Sequence, residues 1–363
     1  MRTVLSVAMI MLFAAGSVSA DKEFTFDKKD NFDGAAISTI TVDVDRGQIS
    51  IEKSRGQNIE VLYKNSVFAD NQSQADEINE DYKYSAKVTG NELAIVVETP
   101  RHGRKGMDIV ERIIEGDWSQ EGSYPMIKLV IPDGKAVDIM SASSDIEVSE
   151  LVVDLDIQSS SSDVDLENTQ GKLSCRLSSG DINIGGHKGS ILTKGKSSDI
   201  RIVDVEGPVE AATASGDITV EKVKGMVESQ SASGDNRLFE ITGDIDAEAV
   251  SGDIEISTVT GSVRASAVSG DVRLDGLAAK DGDYDISSVS GDIHMAVSRD
   301  FAGQIVLHSV SGNVNSRLPG KVVFEVDDED DNDSRSEVRG TVGQGDGRLN
   351  ATTTSGDITV DGY

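Results

Sequence analysis

One triplet, Ser-(Gly/Ser)-Asp, recurs along this chain at a fixed interval of 18 residues. Its middle residues are Ser144, Ser162, Gly180, Ser198, Gly216, Gly234, Gly252 and Gly270, with looser copies at Gly291, Gly312 and Gly356. A second glycine column runs nine residues ahead of it, at Gly171, Gly189, Gly207, Gly225, Gly243 and Gly261. A fixed period of this size means stacked structural units, each unable to bury its apolar face alone. After each triplet comes an alternating apolar pair, such as Ile182/Ile184, Ile218/Val220, Ile254/Ile256 and Val272/Leu274. Past the other glycine the inward positions are large and then small, as in Val209/Ala211, Ile245/Ala247 and Val263/Ala265. Period-2 alternation between two turns per unit predicts short parallel strands, each stacked on the same strand of the next unit. The fold class expected is all-β: a single-stranded parallel β-solenoid with about 18 residues per rung. A dozen rungs at about 4.8 Å would give a rod of about 55 Å.

The organisation along the chain follows from where this register holds. Residues 1–20 carry Arg2, an apolar run from Val4 to Ala15 and the small residues Val18-Ser19-Ala20. That is the pattern of a secretory signal cut before Asp21, so the protein is expected in the periplasm or at the cell surface. Residues 21–135 lie outside the 18-residue register and read as a β-rich segment. It has strands at Ile37–Val44, Gln48–Glu52, Ile59–Tyr63, Leu93–Val97 and Ile127–Ile131, a turn at Asp45-Arg46-Gly47, and a surface loop from Ala69 to Asp81. Within it, residues 100–124 break the pattern and suggest a capping loop over the first rung. Residues 136–363 form the solenoid, with an acidic loop near 327–347. Beyond residue 135 the only aromatics are Phe239, Tyr284, Phe301, Phe324 and Tyr363.

Candidate sites are few. With a formal net charge of −30, the chain repels phosphate backbones, so no nucleic-acid partner is expected. The one dense basic patch, Arg101, His102, Arg104 and Lys105, precedes the only tryptophan, Trp118, and these five residues are candidates for partner docking. The aspartates of the triplet would stack as a column of like charge. The leading reading is turn chemistry, with each carboxylate accepting nearby backbone amides. The weaker reading makes Asp199, Asp217, Asp235, Asp253 and Asp271 calcium candidates, because calcium takes carboxylate oxygens. Asn236 stands where other rungs have an aliphatic residue, which suggests a local bulge. His187, His294 and His308 fall at unrelated rung positions and read as surface residues. Cys175 alternates inward with Leu173 and Leu177, which makes it a small core residue. No cofactor and no catalytic constellation is expected.

The repeated Ser-Gly-Asp-Ile-x-Val, with a secretory signal and a β-rich start, resembles the bacterial putative-adhesin β-repeat family over residues 35–363. That resemblance implies a non-catalytic cell-envelope protein, an adhesin or binding scaffold whose partner is an envelope protein or glycan. Similar repeats occur in envelope-stress sensing modules shaped like a toast rack, which implies as the alternative a periplasmic sensing or scaffold module acting through a partner. A carbohydrate-active β-helix enzyme is the remaining class. It would need a singular acid pair with stacking aromatics, whereas the acids here form an even column.

Overall fold

The computed structural model describes residues 22–100, 122–318, 321–323 and 336–363. The signal segment, Arg101, His102, Arg104, Lys105, Trp118 and the acidic run 327–333 lie outside them. The chain is an all-β parallel solenoid, and every described strand joins one continuous sheet.

A middle rung shows how sequence becomes structure. Val209–Ser215 forms its first limb, Gly216-Asp217 turn the chain, and Ile218–Lys224 forms its second limb. Val209, Ala211 and Thr213 point inward on one limb, and Ile218, Val220 and Val223 on the other. Each limb pairs in parallel with the residues 18 further on, so Val209 lies beside Val227 and Val220 beside Leu238. The period is therefore the circumference of one coil. Stacked aliphatics inside supply the stabilisation, roughly 1.5–3 kcal/mol for each fully buried Val, Ile or Leu.

The corners explain the glycines. A Cβ on Gly234, whose φ is +152°, would lie 2.0 Å from the carbonyl oxygen of Gly216 in the rung below. In the second column, a Cβ on Gly243 would lie 2.2 Å from that of Gly225. At these two glycines the coils approach too closely for a side chain, whereas other rungs carry Ser144, Ser162 and Ser198 at the triplet corner without a positive φ. Inward hydroxyls bond the corner carbonyls: Thr213 Oγ1 donates to Ser198 O (3.0 Å), Ser288 Oγ to Gly270 O (3.2 Å) and Thr353 Oγ1 to Gly291 O (3.1 Å).

A third corner has no constant residue type. Glu150, Asn168, Gly186, Asp204, Lys222, Glu240, Thr258 and Gly276, again 18 apart, all adopt φ between +52° and +73°. Each is an extra residue that flips the inward parity, which is why Val220 and Val223 both face the core.

Both ends are threaded out of sequence. Strand β1 (Lys22–Asp33) is followed by β2 (Thr39–Lys53), β3 (Asn58–Ala69), helix α1 (Gln72–Glu80), β4 (Lys83–Thr89), β5 (Glu92–Glu98), β6 (Gly122–Ile131) and β7 (Lys135–Ser149). Strand β2 turns a corner at Asp45-Arg46-Gly47, as the sequence suggested, with Gly47 at φ +136° between the limb that pairs with β5 and the limb that pairs with β6. It stacks on β7 as a full rung, with Ile40 beside Val137, Gly47 beside Ser144 and Ile49 beside Ile146. Strands β5 and β6 make the next rung outward on its other side. Then β4 pairs antiparallel with β5, β3 with β6, and β1 with β3, which ends the parallel stack.

At the far end, the rung Gly347–Gly362 lies between Asp283–Val297 and Gly303–Ser316. The final Ser355-Gly356-Asp357 therefore sits inside the stack, where the sequence order had put it last. Strand Ser336–Val342 pairs antiparallel with Gly303–Ser309 and closes that limb. Along the described first limb, thirteen parallel strands are counted in register. At about 4.8 Å per step they span about 58 Å.

Three further expectations are corrected. Asn236 causes no bulge: it pairs in register with Ile218 and Ile254 and is fully buried. Its amide is satisfied by Ser229 Oγ, which donates to Oδ1 at 2.8 Å, and by donating from Nδ2 to Glu248 O at 2.9 Å. His187 is a core residue, 2% exposed, in the column that continues as Val205 and Val223. The stretch Ala69–Asp81 contains α1, started by Asn71, whose side chain accepts the Gln74 amide at 3.1 Å, and anchored by the buried Ala75.

Candidate binding surfaces

The triplet aspartates form a ladder of charge-assisted hydrogen bonds. Oδ1 of each of Asp199, Asp217, Asp235, Asp253 and Asp271 accepts the backbone amide of the next aspartate up the column, at 2.8–2.9 Å. Asp163, Asp292 and Asp357 do the same for their neighbours. Each bond satisfies a corner amide that no strand reaches and offsets part of the repulsion between stacked carboxylates. Arg237 adds a cation at mid-column, donating from Nη1 to Asp217 Oδ2 (2.8 Å) and from Nη2 to Asp235 Oδ2 (2.7 Å). Together the guanidinium and the Asp235 amide hold the Asp217 carboxyl below its ordinary range. Among the described residues, no group of three or more His, Cys, Asp or Glu side chains is gathered to hold a metal ion.

The buried titratable groups serve the core. Burial pushes the Cys175 thiol up to about 12, which suppresses thiolate chemistry. His187 Nδ1 lies 2.9 Å from Thr169 Oγ1, and Nε2 lies 3.1 Å from Gly171 O. Since a carbonyl only accepts, the proton sits on Nε2 and the threonine hydroxyl donates to Nδ1. Burial drives the imidazole pKa down, and the bond to Gly171 O opposes that. His294 and His308 are partly exposed on the outer face.

A groove lies on the outside of the second limb near the N-terminal end. It encloses about 600 Å³ and crosses five consecutive rungs, from Ser50 and Glu52 through Glu147, Asp165 and Asn183 to Arg201. Outward side chains on this limb stack in register, so Glu147 lies beside Asp165, Asp165 beside Asn183, and Asn183 beside Arg201. Gly185, with open space where a Cβ would stand, deepens the floor.

The groove's outward side chains are mostly polar or charged, with Val148, Leu166, Ile184 and Val203 also lining it. Glu52 is held by Lys128 at 2.6 Å, and Asp165 accepts from Asn183 Nδ2 at 3.0 Å. Glu147 receives only a 3.3 Å bond from Gln48 Nε2. Glu147 and Asp165 thus face each other across adjacent strands with no cation between them among the described residues, an unfavourable like-charge pair. The sequence did hold a signal for this site: two acids 18 apart at an outward position, followed by a Gly-Gly.

Two crystal structures align with 94% of this chain. One is a putative cell adhesion protein from Clostridium sporogenes, with 9% identity, a TM-score of 0.23 and 100% of that chain covered. The other is a putative adhesin from Bacteroides fragilis, with 10% identity, a TM-score of 0.31 and 98% of that chain covered. At those scores neither likeness transfers a function. No curated protein matches the chain. The pattern of the Toastrack DUF4097 family matches three overlapping stretches, residues 37–240, 185–303 and 244–361. The chain belongs to the Toastrack DUF4097 family.

Proposed function

We propose that this protein is a non-catalytic, adhesin-like binding scaffold of the cell envelope, exported by its N-terminal signal. It engages a cationic partner through the carboxylate groove on its second limb. The observation that carries this reading is the Glu147/Asp165 pair, unneutralised among the described residues, inside a 600 Å³ groove. A stack held from within leaves its outer columns free to carry binding groups without cost to the core. A cationic side chain laid between those two carboxylates would remove their repulsion and gain charge-assisted bonds. No helix of the described residues is long and apolar enough to cross a membrane.

The test uses the chain from residue 21 and an octalysine peptide at 150 mM salt, where nonspecific attraction is screened. The variant E147Q/D165N/E167Q removes three groove charges, and D253N/D271N/D292N removes three from the corner column. Weaker binding by at least tenfold in the groove variant alone supports the reading. Equal weakening in both would reduce it to bulk electrostatics. The mass of the protein recovered from the producing cell's envelope checks export, with an N-terminus at Asp21 expected.

A further inference from the structure

The first limb carries a second cavity, about 420 Å³, on its outer face beside the triplet corner. Its chemistry is opposite to that of the groove. Arg176, Lys194 and Lys196 line it, with Gln158, Leu177, Gly195 and the serines Ser141, Ser159, Ser160 and Ser178. Arg176 and Lys194 are register partners on adjacent strands, so two cations stack directly side by side. In a chain of net charge −30 such a pair is unexpected, and like charges placed opposite each other destabilise a sheet.

The two cations lean apart. Arg176 Nη1 reaches back one rung to Asp156 Oδ1 at 3.0 Å, whereas Lys194 Nζ reaches forward one rung to Glu210 Oε1 at 2.9 Å. The space between them is the cavity. Lys196, at its rim, has no ion-pair partner among the described residues.

The wall is also incomplete at this rung. Ser141 Oγ donates to Ser144 Oγ at 2.7 Å, and Ser159 and Ser162 share a 2.5 Å hydroxyl contact. At the equivalent place stands Gly195, and Ser198 Oγ behind it is buried without a partner. A Cβ at Gly195 would come within 2.6 Å of the Ser198 Cβ, so the glycine and the orphan hydroxyl belong together.

We propose that this cavity binds the phosphate or sulfate ester group of a sugar. The oxyanion lies between Arg176 and Lys194, with Lys196 closing over it and the serine hydroxyls meeting the sugar's own. A guanidinium beside ammonium groups matches a tetrahedral oxyanion, and hydroxyl-rich walls match a polyol. The volume falls within the range of small-ligand sites. The site is on the opposite limb from the carboxylate groove, so it stands or falls independently of the cationic-partner reading.

The experiment is an amide-resolved NMR titration of the full mature chain with glucosamine 6-phosphate, glucosamine 6-sulfate, glucosamine and inorganic phosphate. The expected result is saturable shifts at Ser160, Ser178 and Gly195 with one or both esters, at least tenfold tighter than with inorganic phosphate and absent with glucosamine. Which ester binds more tightly identifies the source of the oxyanion. K194Q and K196Q, both at exposed positions, should each weaken the ester at least threefold and leave thermal stability unchanged. No shifts with either ester, or unchanged affinity in both variants, would overturn the site. Inorganic phosphate binding as tightly as the esters would overturn the sugar.

Discussion

Replacing the buried polar pair of one rung by the apolar pair of its neighbours offers the sharpest test of how this rod is held together. Rungs on either side place Ala211 with Ile218, and Ala247 with Ile254, at the positions that Ser229 and Asn236 occupy. Ser229→Ala leaves Asn236 Oδ1 buried without its 2.8 Å donor, which costs about 1–3 kcal/mol. Asn236→Ile gains about 1.5–3 kcal/mol of apolar burial. It also strands the Ser229 hydroxyl, at about 1–3 kcal/mol, and crowds a larger side chain against it. The single variant should therefore end near the wild type or about 1 kcal/mol below it. The double variant removes both polar groups and relieves the crowding, so it should exceed the wild type by about 1–2 kcal/mol. The implied coupling, the double variant's gain less the two single losses, is about 2–6 kcal/mol, toward or above the top of the range seen for residues in direct contact. Urea unfolding followed by far-ultraviolet circular dichroism gives the stabilities. Amide exchange at Leu238 and Ile256 reports the same change locally, since repeat stability is close to a sum of neighbour terms. Additive effects of the two substitutions would refute the reasoning.

Four other outcomes follow from the structure. Gly234→Ala should cost about 2–4 kcal/mol through its clash and its backbone strain. Gly185→Ala, with open space around it, should be neutral or mildly stabilising, and thermal unfolding compares the two. Asp253→Ala should lose about 1–2 kcal/mol with the bond to the Asp271 amide, whereas Asp253→Asn keeps an acceptor and most of the stability. Millimolar calcium should leave the melting temperature of the wild type unmoved, and a rise that the asparagine variant abolishes would make the column a metal site. His187 has a folded pKa below its unfolded value of about 6.5, so its neutral form contributes stability above that pH. That contribution is lost as pH falls through 6.5 toward the folded pKa, at up to about 1.4 kcal/mol per unit. His187→Val should flatten this part of the pH–stability curve relative to wild type.

The coil was legible in the sequence because the second corner is glycine from Gly171 to Gly261 and the triplet corner is glycine or serine, and close approach of the coils leaves a periodic mark. The third corner left none in residue type. Glu150, Lys222 and Thr258 bear its left-handed backbone at a strain of about 1–3 kcal/mol each, so only the skipped inward parity could betray it. His187 was read as surface and Asn236 as a bulge for a related reason: a polar residue at a core position looks out of place until its partner, Thr169 or Ser229, is seen. The order of the end rungs could not be read at all. One Ser-Gly-Asp rung stacks on any other with the same bonds, so nothing local tells the Gly356 rung to sit on Gly291 rather than on Gly312. Of the binding surfaces, the aspartate ladder was visible as a column. The groove and the basic cavity arise from outward residues that meet only once the coil is wound.

The threaded ends set the order in which the rod can be completed. Middle rungs touch only chain 18 residues away and can zip from any starting point. Asp357 must instead meet Asp292 across 65 residues, and β2 must wait for β7 about 100 residues later. The two termini therefore behave as late-closing clasps. A polypeptide stopping short of residue 347 would leave a one-rung gap between Asp283–Val297 and Gly303–Ser316, with open strand edges and bare aliphatics. Such a product exposes unpaired backbone to proteolysis, so the threading acts as a check that only chains carrying that segment persist.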